Sequence, residues 1–151
     1  ISANADNTFR LSPEQAQQRY PELQDAFCGR PFMLQPFMPA IIREGEFSLF
    51  FFGGEYSHTV LKKPAAGDFR VQEEHGGILK KVEPEPELLT LATTLNQWLH
   101  PAPLYSRLDF VRSQNGFAIM EIELIEPSLY FNLDADSPER FARAFEQWMT
   151  R

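Results

Sequence analysis

The sequence predicts an α+β domain, a mainly antiparallel sheet with flanking helices, and three observations carry that prediction. Strand-like runs come in adjacent pairs joined by short glycine-bearing turns, at Gly53-Gly54-Glu55 and at Gln114-Asn115-Gly116. Helical patterns stand before, between and after those pairs, which argues against a parallel strand–helix–strand alternation. Fourteen Phe in 151 residues, with 43% hydrophobic and 23% charged residues, supply the core that one domain of this length needs.

Taken in order, Ser2-Ala3-Asn4-Ala5-Asp6-Asn7-Thr8 is a loop of turn formers. Ser12-Pro13-Glu14 opens a helix with an N-cap serine and a proline in the first turn. Tyr20-Pro21 breaks or kinks that helix and Cys28-Gly29 ends it. Phe32 to Gln35 reads as a short strand running into Pro36-Phe37-Met38-Pro39. Glu46 to Phe52 and Tyr56 to Lys62 form the first hairpin, its apolar run interrupted only by Ser48. A loop, Pro64 to Arg70, and then Gly76-Gly77 follow. Pro84 and Pro86 introduce a helix to about Leu99, with Leu88, Leu91, Leu95 and Trp98 on one face, and Pro101 and Pro103 stop it. Leu104 to Arg112 and Phe117 to Ile125 are the second hairpin. Ser137-Pro138-Glu139 starts the last helix, whose Phe141, Phe145 and Trp148 recur at core spacing.

The composition narrows the function. A net charge of -7 argues against a nucleic-acid surface but leaves room for a nucleotide site, which needs only a few local cations. Cys28 is the only cysteine, which excludes an internal disulfide and a cysteine-based zinc cluster and fits a reducing, cytoplasmic setting. We read it as structural. No apolar run approaches the ~18 residues of a membrane span, and no signal-peptide pattern is present. His58, His75 and His100 are scattered without metal-ligand spacing and read as surface or loop residues. The chain opens on Ile1 and small polar residues, so it reads as a piece of a longer protein.

The chemistry concentrates in Met120-Glu121-Ile122-Glu123-Leu124-Ile125-Glu126-Pro127. As a strand it puts Glu121 and Glu123 on one face, flanked there by Ile119 and Ile125, with Met120, Ile122 and Leu124 on the other. Two carboxylates about 7 Å apart repel each other and are costly to bury unless a cation sits between them. The alternative is an ordinary wet face of an antiparallel sheet. Asp109 joins the pair only in one hairpin register. A two-residue Asn115-Gly116 turn places Asp109 opposite Ile122, on the wrong face. A three-residue Gln114-Asn115-Gly116 loop places it opposite Glu121, with Arg107 opposite Glu123. Sequence alone leaves both registers open.

The ordered set Gly67-Asp68-Phe69-Arg70, Gly76-Gly77, Leu108-Asp109-Phe110 and Met120-Glu121-Ile122-Glu123, with Pro127 after it, resembles the ATP-grasp superfamily. The resemblance is to the branch of bacterial glutathione synthetase and the ligases that add glutamate to a ribosomal protein, and it runs from Ile1 to about Phe131. It implies the C-terminal portion of an ATP-grasp fold, a single partial domain over 1–151, with the N-terminal substrate domain and the first part of the ATP-binding domain outside it. The implied activity joins a small-molecule carboxylate to an amine through an acylphosphate, with ATP and Mg2+ (or Mn2+) as cofactors. The alternative is a non-catalytic nucleotide- or metal-binding module. By the same resemblance Asp109, Glu121 and Glu123 would bind the metal. Glu123 stands where the family usually has Asn, and the added charge should tighten metal binding. Gln35, Phe37 and Met38 would receive adenine, with a backbone donor from Phe37 or Met38 because Pro36 has no N–H. Glu46 would lie near the ribose, and Thr8 would belong to a loop over the triphosphate. Arg70, with Lys62 or Lys63, would meet the phosphate or the acylphosphate. The expected partners are ATP, the two small-molecule substrates and the N-terminal part of the same chain, with no nucleic acid or membrane; a homo-oligomer is compatible.

Overall fold

The computed structural model describes residues 7–150, which fall into two compact units, Ile1–Met38 and Pro39–Arg151. Of the loop expected over Ser2 to Thr8, only Asn7 and Thr8 lie among the described residues.

The first unit follows its capping signals. Helix α1, Pro13–Gln18, starts from a capping box in which Ser12 Oγ accepts the Gln15 N–H at 3.2 Å and Gln15 Oε1 accepts the Ser12 N–H at 2.8 Å. Helix α2, Tyr20–Phe27, restarts the chain at Pro21 and ends at Cys28, with Gly29 left-handed at φ +70°. Cys28, read from the sequence as structural, is exposed. Phe27 gathers Phe9 and Phe32 around it, with centroids at 5.9 and 5.3 Å. The strand expected over Phe32 to Gln35 does not form. A strand is held by its ladder, this segment pairs with no other among the described residues, and Pro31 and Pro36 at its ends lack N–H donors.

The second unit opens with a short helix, α3, Ala40–Arg43, which the sequence did not announce. Strands β1, Glu46–Phe52, and β2, Glu55–Lys63, form the first hairpin as expected. Strand β3, Ile78–Val82, was not anticipated; its five residues, two of them lysine, lie along the exposed edge of β2. Helix α4, Pro86–Gln97, is followed by the hairpin of β4, Tyr105–Ser113, and β5, Gly116–Glu123, and then by helix α5, Ser137–Met149. The five strands form one antiparallel sheet in the order β3-β2-β1-β4-β5.

Strand alternation gives this sheet two unlike faces. Leu49 and Phe51 of β1 and Leu108 and Phe110 of β4 bury themselves against Leu88 and Ala92 of α4. Asn96 closes that helix onto the sheet by accepting Ser106 Oγ–H at 2.6 Å and donating to the Gly54 carbonyl at 3.1 Å. Trp98, expected on the same face, is 75% exposed because the helix has ended by then. On the opposite face Phe52 packs against Phe131 and Phe141, carrying α5. Phe145 and Trp148, expected in the core, are both 44% exposed, since Ala144 is the residue that α5 turns inward.

His58 corrects its surface assignment. It is buried in β2 and stacks on Phe50 at 4.4 Å. Its Nε2 donates to the Leu129 carbonyl at 3.1 Å, so Nδ1 accepts from Ser57 Oγ at 2.9 Å, while Arg140 Nε donates to the same hydroxyl at 3.0 Å. The neutral ring thus ties the segment after β5 to the sheet. Burial pushes its pKa from 6.5 down to about 4. Nearby Asp134, almost fully buried, is held at about 2 against its own burial by Lys81 at 2.6 Å and by Arg140.

Leu88→Ala is expected to lower unfolding free energy by about 2–5 kcal/mol in urea denaturation with an unchanged m-value, because it empties a fully buried position between α4 and the sheet. Between pH 4 and 6.5 the unfolded chain binds the His58 proton and the folded chain does not, so His58 contributes a rise in melting temperature with pH across that window. His58→Gln, whose amide can still donate to Leu129, should flatten the rise; equal slopes in the two proteins would refute the assignment.

Candidate functional site

The polar end of the second face is assembled from four strands. Glu46 and Ser48 come from β1, Lys62 from β2, Arg107 and Asp109 from β4, and Glu121 and Glu123 from β5. Cross-strand register places them together: Glu46 opposite Lys62, Ser48 opposite Asp109, Asp109 opposite Glu121 and Arg107 opposite Glu123.

The hairpin reaches that register by a route neither sequence option contained. Ser113 pairs with Gly116, so the turn is Gln114-Asn115, and Phe110 pairs with Ile119. A bulge at Met120 then inserts one residue into β5 and brings Glu121 opposite Asp109. Ile119 consequently lies on the apolar face across from Phe110, not beside the two acids as simple alternation implied.

Asp109 is the hub. It is 2% exposed, accepts Ser48 Oγ–H at 2.6 Å, and receives Arg107 Nε at 3.1 Å to each oxygen and Nη2 at 3.0 Å. Lys62 Nζ stands 3.5 Å from it and 2.7 Å from Glu46. Arg107 also bonds Glu123 and lies 3.8 Å from Glu121. Burial works against the Asp109 carboxylate, but Lys62 and Arg107 outweigh it and hold the pKa below the usual range. Burial also opposes the Lys62 ammonium, and Asp109 and Glu46 outweigh it in turn, raising its pKa. For Glu46 burial prevails and raises the pKa despite Lys62. Glu121 is raised by burial and by repulsion from Asp109 and Glu123.

Gly45 makes this packing attainable. It sits at φ +102°, and a Cβ there would stand 2.5 Å from the Lys62 carbonyl oxygen, so only glycine lets the chain turn into Glu46 beside Lys62.

Four carboxylates, Glu46, Asp109, Glu121 and Glu123, thus meet two cations, Lys62 and Arg107, leaving an excess of negative charge. Among the described residues no group of three or more His, Cys, Asp or Glu forms a metal cage by itself. Hard oxygen donors in charge excess on one face nevertheless suit Mg2+, which takes a few carboxylates and completes its shell with water and phosphate oxygens.

Arg70, in the loop after β2, is forked onto Asp68, with Nη2 2.8 Å from Oδ2. Gln35, Phe37, Met38 and Thr8 belong to the first unit, where Arg10 lies 3.8 Å over the Phe37 ring. The sequence reading gave no role to Ser48 or Arg107. Ser48 was detectable as the one polar residue inside a buried run, and Arg107 as the cation facing Glu123 in one register.

Comparison with known proteins agrees with this architecture. The chain is 30% identical over 127 residues to the cycloserine biosynthesis protein DcsG of Streptomyces lavendulae, covering 79% of this chain and 42% of that protein. The crystal structure of D-cycloserine synthetase DcsG superposes with a TM-score of 0.64 at 27% identity, over 75% of this chain and 41% of that one. The chain has an ATP-grasp fold. A D-alanine–D-alanine ligase from Bacillus anthracis complexed with ATP shares the ATP-grasp fold at a TM-score of 0.53 and 13% identity, over 86% of this chain and 44% of that one. No family model matches the sequence. This ATP-grasp chain spans about two fifths of the length of the relatives it matches. No helix among its described residues is long and apolar enough to cross a membrane.

Asp109→Asn should cost about 3–5 kcal/mol of stability, because it strips a buried carboxylate from two cations that stay buried. Glu121→Gln removes a charge repelled by its neighbours and should leave stability unchanged or raise it. Chemical denaturation of the two variants side by side checks the contrast; equal losses would refute it.

Proposed function

We propose that this chain is the ATP- and magnesium-binding part of a carboxylate–amine ligase that works through an acylphosphate. The observation that carries the reading is the pairing of Asp109 with Glu121 on one face, with Glu123 beside them and negative charge in excess. Asp109, Glu121 and Glu123 would hold Mg2+. When bound, the ion would offset the carboxylate repulsion and the charge of the nucleotide's terminal phosphates.

In such a ligase a substrate carboxylate oxygen attacks the γ-phosphorus and ADP leaves; the amine nitrogen then attacks the acyl carbon, phosphate leaves with the bridging oxygen, and the amine proton is released. The chain's own groups supply the anion-binding side. Lys62 and Arg107 lie next to the carboxylates, and Arg70 offers a planar fork for a phosphate or acylphosphate oxygen in exchange for Asp68. Glu46 is assigned to the ribose, and Gln35, Phe37, Met38 and Thr8 to the rest of the nucleotide. The assignment of these four rests on the resemblance of their segments to the family's adenine hinge and triphosphate loop.

Calorimetric titration with a non-hydrolysable ATP analogue, with and without Mg2+, tests the reading. Binding should require Mg2+ and weaken about 10–100-fold in Glu121→Gln, which keeps its fold. Binding that ignores both the metal and the substitution would overturn it. A non-catalytic nucleotide- or metal-binding module is the second reading, in which the same carboxylates and cations hold a ligand without turnover. Release of ADP that depends on an added carboxylate and amine separates the two.

A further inference from the structure

We propose that Arg107 is the resident counter-ion of the carboxylate face, a guanidinium lodged between Asp109 and Glu123 that a divalent cation has to displace. The inference rests on the metal reading above and adds an order of events to it. Arg107 approaches both Asp109 oxygens at 3.1 Å through Nε, bonds Glu123 through Nη2, and stands 3.8 Å from Glu121. It therefore touches each of the three carboxylates assigned to the metal. Asp109 is further engaged by Ser48 and Lys62, so its lone pairs are committed in the ligand-free chain.

A guanidinium cannot lose its proton to make room, so it has to move. Its side chain is 11% exposed, and moving it without a new anion would leave a cation unpaired in a poorly hydrated place. A ligand carrying phosphates supplies that anion. Metal and nucleotide then enter together: the cation takes the carboxylates and the phosphates take Arg107. The carboxylate of Glu123, expected from the sequence to tighten metal binding in the free protein, instead holds Arg107 in the cation's place.

The test is a Mn2+ titration followed by the free-ion EPR signal, for the native chain, Arg107→Gln, Arg107→Lys and Glu121→Gln, with and without a non-hydrolysable ATP analogue. Without nucleotide, Arg107→Gln should bind Mn2+ about tenfold or more tightly than the native chain, and Arg107→Lys, which keeps charge but loses the fork, should fall between them. The analogue should raise the native affinity much more than that of Arg107→Gln. Circular dichroism checks folding, and Arg107→Lys decides if Arg107→Gln does not fold. If both Arg107 variants bind Mn2+ no better than the native chain while Glu121→Gln still weakens binding, the counter-ion role falls and the metal site stands. If no protein binds Mn2+ in either condition, both fall.

Discussion

The buried Asp109 carboxylate is the constraint around which the second unit is arranged. A carboxylate withdrawn from water in a sheet is tolerated only when hydrogen bonds and opposite charge replace its hydration. Here the replacement comes from three strands: the Ser48 hydroxyl of β1, the Lys62 ammonium of β2, and the Arg107 fork two residues away on β4. Each donor is correct only if its strand is in register, so one charged group reports on the alignment of most of the sheet. Glu46 and Glu123 in turn satisfy the outer sides of Lys62 and Arg107. The network ends on Glu121, its most solvent-exposed member, at the outer strand.

The two faces divide the labour. The α4 side is an apolar core in which Leu88, Leu108 and Phe110 are excluded from water. The other side is apolar only at the end where Phe50, Phe52 and His58 meet the segment after β5 and helix α5. At the opposite end it carries ionic groups on the same strands. That arrangement gives the charged groups a rigid support, because every one sits on a strand whose reverse side, or whose continuation, is locked by packing.

Much of this was legible in the sequence. The β1–β2 hairpin, α1, α4 and α5 announced themselves through glycine turns, capping residues and periodicity, signals confined to a few neighbouring positions. Strand β3 did not, because Ile78-Leu79-Lys80-Lys81-Val82 owes its extended form to β2 and not to its own pattern. His58 looked like a surface histidine because what buries it, Phe50 and Leu129, lies elsewhere in the chain. The acidic trio was visible as residue types, and its pairing was visible as a fork. The fork could not be resolved correctly, since a three-residue loop and a two-residue turn plus a bulge give Asp109 the same partner. The charge of Arg107 was readable; its reach to Asp109, Glu121 and Glu123 required the folded sheet.

The Met120 bulge divides the last hairpin into two mechanically separate halves. Between Ser113 and Phe110 the tip geometry dictates which residues face each other; from Asp109 to Arg107 the ion pairs do. A bulge takes up one extra residue in one strand of a pair, so the turn and the ionic end each keep their own alignment on either side of Met120. Met120 is a coupling between two registers: the turn sets one, and the three carboxylates keep the other.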